Sequence, residues 1–283
     1  MEGFLLVTNQ IVHFFQENYM FEKNNMMYFE NLSAFEELIH LQTTRKGGFS
    51  EKEFGEMNMG FSVGDNPDTV LKNRMEVARI TNIKLDRFVF PKQCHTANIA
   101  IVTDVECGRG VYFDRMDPLP ETDALITNCN NVMLCIKTAD CIPVLLYDPV
   151  MKVAAAIHAG WRGTAAHITL KTVKEMEKIF ACRAENIVAG IGVGAGLCCY
   201  KTNEDSYNQI VASVGADKYT DYETNQHHID LKEINRMQLL NAGLLVENIE
   251  VNPICSICNC TDHFSHRGNG GHTGRALSCI CIK

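Results

Sequence analysis

Three short apolar runs crowded into one stretch, Val132–Ile136, Ile142–Tyr147 and Val153–Ile157, set the tightest limit on how this chain can fold. Each has the length of a strand, and each is cut off by polar or turn residues, notably Asp148-Pro149. The middle run opens on Asp140-Cys141 and the last closes on His158, so reactive side chains stand where strands begin and end. A rigid sheet fixes atoms at such places while the adjoining loops leave them open to a ligand. Ala159-Gly160-Trp161-Arg162-Gly163 then forms a turn with two glycines around an aromatic and a guanidinium. A helix is expected from about Thr164, an acceptable N-cap, with Ala165, Ile168, Thr172, Met176 and Ile179 on its buried face.

The rest of the chain alternates short strands with helices. Strands are expected around Leu5 and Met27, at Phe88–Phe90, Ile99–Val102 and Leu125–Thr127, and at Ile187–Gly192. A loose helix is expected near Ala34–Leu38. A second covers Pro67–Ile80, with Pro67 in its first turn and Val70, Leu71, Met75 and Ala78 along one side. Two more cover Glu204–Ser213 and Asp230–Ala242. Gly192-Val193-Gly194-Ala195-Gly196 lacks the Lys-Ser/Thr ending of a phosphate loop and reads as a tight strand-to-helix turn. No repeat or linker divides the 283 residues, so one domain over 1–283 is expected.

A formal net charge of -8 argues against a nucleic-acid groove, which needs clustered Lys and Arg, but leaves room for a small anion held by a few local arginines. No stretch approaches the ~20 apolar residues of a membrane span. The opening residues lack a basic segment and a small-residue cleavage site, so no signal peptide is read, and the cysteine usage makes a reducing cytoplasm the expectation. Thirteen cysteines, an odd number scattered from Cys94 to Cys281, fit a disulfide framework badly and leave thiols for packing or metal. In the tail, Cys255-x-x-Cys258-x-Cys260 with His263, His266 and His272 has zinc-ligand spacing on one side but no cleanly spaced partner pair. Arg267, Gly268, Gly274 and Arg275 read instead as a polar flap over a site.

Taken singly, Cys141 is a small buried hydrophobe and His158 a satisfied strand-end histidine. Set beside Asp140, Trp161 and Arg162, that reading is strained. Several motifs then coincide with one family. Thr44-Arg45-x-Gly47-Gly48-x-Ser50 leads to Asn58, and is followed by Gln93-x-His95 and Thr138-Ala139-Asp140-Cys141-x-Pro143. The most specific is His158-Ala159-Gly160-Trp161-Arg162-Gly163-Thr164, and Cys260-Thr261, Phe264-Ser265 and Thr273-Gly274-Arg275 close the series. From about Leu41 onward the chain resembles the YfiH/YlmD-type laccase-domain proteins, long labelled polyphenol oxidases. Departures lie at Cys94 and Thr96 around His95, at Val193, and at His266 and Gly268 in the tail.

The resemblance implies an α+β domain of mixed sheets flanked by helices, with zinc held by His95, Cys141 and His158. It implies phosphorolysis of adenosine, inosine, guanosine and methylthioadenosine, with adenosine deamination besides; a monomer or weak homodimer is expected. Two imidazoles and a thiolate leave a tetrahedral ion one open position, the mark of a catalytic site. Asp140 is a candidate proton shuttle or a support for a ligand. Arg45 and Arg162 are candidate clamps for the phosphate co-substrate, because a guanidinium presents paired donors and keeps its charge. Asn58 and Gln93 could orient ribose or base through their amides, and Trp161 either stacks on a ring or packs behind its turn. Two rival chemistries remain: a copper-dependent polyphenol oxidase, and a metal-free cysteine hydrolase with Cys141 as nucleophile and His158 or His95 as base.

Overall fold

A computed structural model describes residues 20–214, 220–221 and 227–283; the strand expected at Leu5 lies outside them. Two six-stranded mixed sheets dominate. One runs, edge to edge, Phe21–Lys23, Met26–Tyr28, Leu38–Thr43, Ala276–Ile282, Met133–Thr138 and Phe88–Val89. The other runs Ile249–Val251, Val188–Ile191, Ile142–Asp148, Val153–Ala159, Ala124–Thr127 and Ile99–Ile101. The three apolar runs are therefore split between layers: the first is in one sheet, and the other two pair antiparallel in the second, Pro143 opposite His158.

These runs are continuous rather than alternating because both faces of each sheet are covered. Along Val153–Ile157 the odd positions Val153, Ala155 and Ile157 pack with Val173, Met176 and Leu239 of the helices Ile168–Phe180 and Leu231–Ala242. The even positions Ala154 and Ala156 meet Leu134, Ile136 and Ile280 of the first sheet. The outer face of the first sheet, with Leu41, Met133, Leu277, Cys135, Cys279 and Cys281, closes on Val77 of the helix Pro67–Thr81. The result is helix, sheet, sheet, helix in four layers, the α+β architecture expected. Three of the thirteen cysteines thus serve packing. Among the described residues no helix is long and apolar enough to cross a membrane.

Several helices differ from expectation. Glu30–Ser33 is helical, and Leu38 instead opens a strand. The helix after the glycine-rich turn begins at Trp161, three residues early, breaks at Ala166-His167 and resumes at Ile168. Thr164 is no cap: it is buried, accepting from Asn235 Nδ2 at 3.0 Å through Oγ1 and from Gln238 Nε2 at 2.8 Å through its carbonyl. Ile179 and Met75 are exposed. The buried side of Pro67–Thr81 is Val70, Asn73, Arg74, Val77 and Thr81, because Asn73 and Arg74 turn inward to bond loop carbonyls. The glycines Gly192–Gly196 form no strand-to-helix turn; Gly194 bridges to Cys255.

Candidate metal centre and active site

The chemistry-bearing residues lie where the chain passes between sheets. Cys141 ends the link from Met133–Thr138 in one sheet to Ile142–Asp148 in the other, and His95 lies on the link from Phe88–Val89 to Ile99–Ile101. His158 closes Val153–Ala159 beside them. One ligand atom from each of His95, Cys141 and His158 lies within 4.8 Å of the other two. Cys141 Sγ is 3.7 Å from His95 Nε2, and the two imidazoles meet edge to face with centroids 4.9 Å apart. A modest contraction brings such a set onto one ion, so the donors fit a tetrahedral metal with an open position.

Asp123, which sequence reading passed over, organises this centre. Fully buried, it pairs with His158 Nδ1 at 2.7 Å, leaving Nε2 for an ion. It also accepts from the backbone N–H groups of Cys94, His95 and Thr96 at 3.2, 3.1 and 2.7 Å, so one carboxylate sets both histidines. Its only trace in the sequence is a carboxylate set directly before the apolar strand Ala124–Thr127. Burial opposes its charge, but the hydrogen bonds from His158 and Thr96 hold it at about 2. Burial likewise pushes the Cys141 thiol up, yet His158 and hydrogen bonds from both imidazoles bring it down to about 6, towards the thiolate a metal requires.

The glycines of the most specific motif are explained by crowding. A Cβ on Gly160 would lie 2.7 Å from His95 Cδ2 and 3.3 Å from Cys141 Sγ, and one on Gly163 would lie 2.8 Å from the Thr96 carbonyl. Gly160→Ala, which removes no ligand, should therefore lower metal occupancy by about tenfold or more through displaced ligands, read by competition with a chromophoric chelator. Unchanged affinity would show that the His95 ring yields freely.

The centre opens on a cavity of about 760 Å³. Phe61, Phe90, Tyr112 and Phe113 give it aromatic walls; Lys92, Lys137, Arg267 and Arg275 give it cationic ones. Arg267 stacks on the Tyr200 ring at 4.3 Å, and Arg275 Nη1 donates to the carbonyls of Thr273 and Gly274, both at 2.9 Å. Both arginines of the tail line the cavity. Burial pushes the Lys137 ammonium down to about 7.

The other candidates are distributed differently. Asp140 lines the cavity, but its carboxylate accepts from Ser256 Oγ at 2.7 Å, Ser265 Oγ at 2.6 Å and the Arg267 N–H at 2.8 Å, which makes it an anchor for the tail. Gln93 also lines the cavity, but its amide forms a two-way pair with the Lys137 backbone at 2.9 and 2.7 Å. Arg45 and Arg162 are not among the lining residues. Arg45 donates to the carbonyls of Gly55 and Cys260 and stacks on Phe264, while Arg162 lies over Trp161 at 4.2 Å. Trp161 packs against the helical core. Asn58 is wholly buried, tying Gly60, Asp65 and the Arg275 N–H. The cations of the cavity come instead from the tail, from the strand before Cys141 and from Lys92 on the link that carries His95.

A family model described as multi-copper polyphenol oxidoreductase laccase matches residues 39–283. A purine nucleoside phosphorylase of Bacteroides thetaiotaomicron is 37% identical over 261 residues, covering 91% of this chain and 96% of that protein. Adenosine deaminase RL5, from an unknown prokaryotic organism, is 31% identical over 256 residues, 85% of this chain and 92% of its own length. Among solved structures, YlmD from Geobacillus stearothermophilus matches with a TM-score of 0.87 at 30% identity, covering 94% of this chain and 99% of that one. YfiH of Bacillus licheniformis matches at 0.86 and 32%, covering 93% and 98%. The shared architecture and the end-to-end similarity to these proteins make the chain a member of the YfiH/YlmD family, whose model is described as multi-copper polyphenol oxidoreductase laccase.

Proposed function

We propose that this chain is a zinc-dependent purine nucleoside phosphorylase that also deaminates adenosine. The observation that carries the reading is the convergence of His95, Cys141 and His158 on the wall of a cavity lined by both aromatic rings and cationic side chains. The naming of its relatives as purine nucleoside phosphorylases and an adenosine deaminase supports it. His95, Cys141 and His158 would hold the zinc ion, which would supply a Lewis acid to the reaction.

The chain's own residues do the rest. Phe61, Phe90, Tyr112 and Phe113 offer ring faces to a purine. Arg267 and Arg275 hold phosphate beside the ribose, with Lys137 as the third cation. Asp123 holds His158 in the tautomer that keeps Nε2 free, and Asp140 positions Arg267 through its backbone. The two ligand groups found among the described residues contain only two histidines between them, too few for the imidazole-rich cluster of a multi-copper oxidase.

The test is to incubate the purified protein with adenosine, with and without phosphate. Adenine and ribose 1-phosphate are expected with phosphate, and inosine without it. A chelator should stop both. The absence of adenine, inosine and hypoxanthine from both tubes would overturn the reading, and turnover that survives the chelator would return Cys141 to the role of a metal-free nucleophile.

A further inference from the structure

The Cys255-x-x-Cys258 turn of the tail has no partner pair nearby in sequence, but the fold brings one to it. Cys198 and Cys199, on the loop after Val188–Ile191, lie with Cys255 and Cys258 so that all four sulfurs are within 4.8 Å of one another. We propose that these four cysteines hold a second metal ion, a zinc in a closed tetrathiolate site separate from the His95–Cys141–His158 centre.

The four sulfurs have the spacing of a ligand shell. Cys258 Sγ is 3.5 Å from Cys198 Sγ and 3.2 Å from Cys199 Sγ, where zinc–sulfur bonds of about 2.3 Å place tetrahedral sulfurs about 3.8 Å apart. Cys255 Sγ also accepts the Gly196 N–H at 3.2 Å, which holds the first cysteine of the turn against the loop that carries Cys198 and Cys199. Four thiolates around a divalent ion keep a net negative charge, and the buried Lys232 beside them supplies an opposite one, fixed by the carbonyls of Asn252 and Ile254 at 2.7 and 2.6 Å. Cys260, the third cysteine of the tail motif, is not part of the group.

All four protein ligands being sulfur, the site has no open position and serves structure. It joins two loops that both reach the cavity. Cys199 precedes Tyr200, on which Arg267 stacks. Ser256, between the two tail ligands, donates to Asp140, which also holds Ser265 and the Arg267 N–H. The ion thereby positions the flap without touching substrate.

Elemental analysis of protein purified under reducing conditions should find two zinc ions per chain. Cys198→Ser combined with Cys258→Ser should retain one, at the cavity, and His95→Ala should lose that one and retain the tetrathiolate ion. In His95→Ala protein loaded with cobalt(II), the remaining ion should show the intense charge-transfer absorption of several thiolate ligands. That measurement decides the matter even if the double variant does not fold. No zinc retained in His95→Ala, a cobalt spectrum without thiolate bands, or a disulfide among the four cysteines in protein alkylated at lysis would each overturn the proposal. These readouts count metal and sulfur, so they hold whether or not nucleosides are turned over.

Discussion

Cys141→Ala should remove the ion at the cavity wall and the turnover of adenosine together, lowering activity by about a thousandfold or more while the fold persists. That scale is expected when a group acting directly at the reacting atoms is deleted. The sulfur lies within reach of both imidazoles at the end of an inter-sheet link, so its loss leaves two ligands where three are needed. A methyl group fits where the thiol was, and the neighbouring strand Ile142–Asp148 keeps its ladder on both sides. Metal content and steady-state kinetics of the same preparation check the prediction. A variant that keeps a full complement of cavity metal would show that Cys141 is no ligand.

Arg74→Leu should have the largest effect on stability, about 3–5 kcal/mol in urea unfolding. Arg74 is only 2% exposed, and its guanidinium lies between the rings of Phe61 and Phe90 at 4.1 and 4.0 Å. It donates to the carbonyls of Met59, Gly110 and Val111, tying two loop segments to one helix. Burial lowers it to about 9, so it remains a cation at neutral pH. Leucine fills the space between the rings but leaves those carbonyls without a donor. Because Phe61 and Phe90 also wall the cavity, nucleoside affinity should fall with stability. A change below about 1 kcal/mol would mean that water replaces the guanidinium at no cost.

The grouping of His95, Cys141 and His158 was legible through the family resemblance, and Cys141 and His158 also stand out as residues at the ends of strongly apolar strands. Asp123 was not, since nothing local marks a carboxylate whose partners are a histidine 35 residues on and a loop 27 to 29 residues back. Arg45 and Asn58 show the converse. Their motifs mark them as special, but the demand they meet is satisfaction of buried main-chain groups, which looks like a binding role when read from residue type alone. Helix phase failed at Met75 and Ile179 for a related reason: polar Asn73, Arg74 and Thr169 take the inner positions that periodicity assigns to apolar side chains. The four-cysteine group escaped because its halves, 198–199 and 255–258, are more than fifty residues apart in the chain and are brought together by tertiary contacts such as the bridge between Gly194 and Cys255.

The placement of His95 and Cys141 on passages from one sheet to the other has a mechanical corollary. An ion gripped there is a rivet through both plies of the sandwich, and sliding one ply over the other would stretch its bonds. Its affinity is then partly a measure of the grip between plies, and free energy released on capture goes into holding the laminate together.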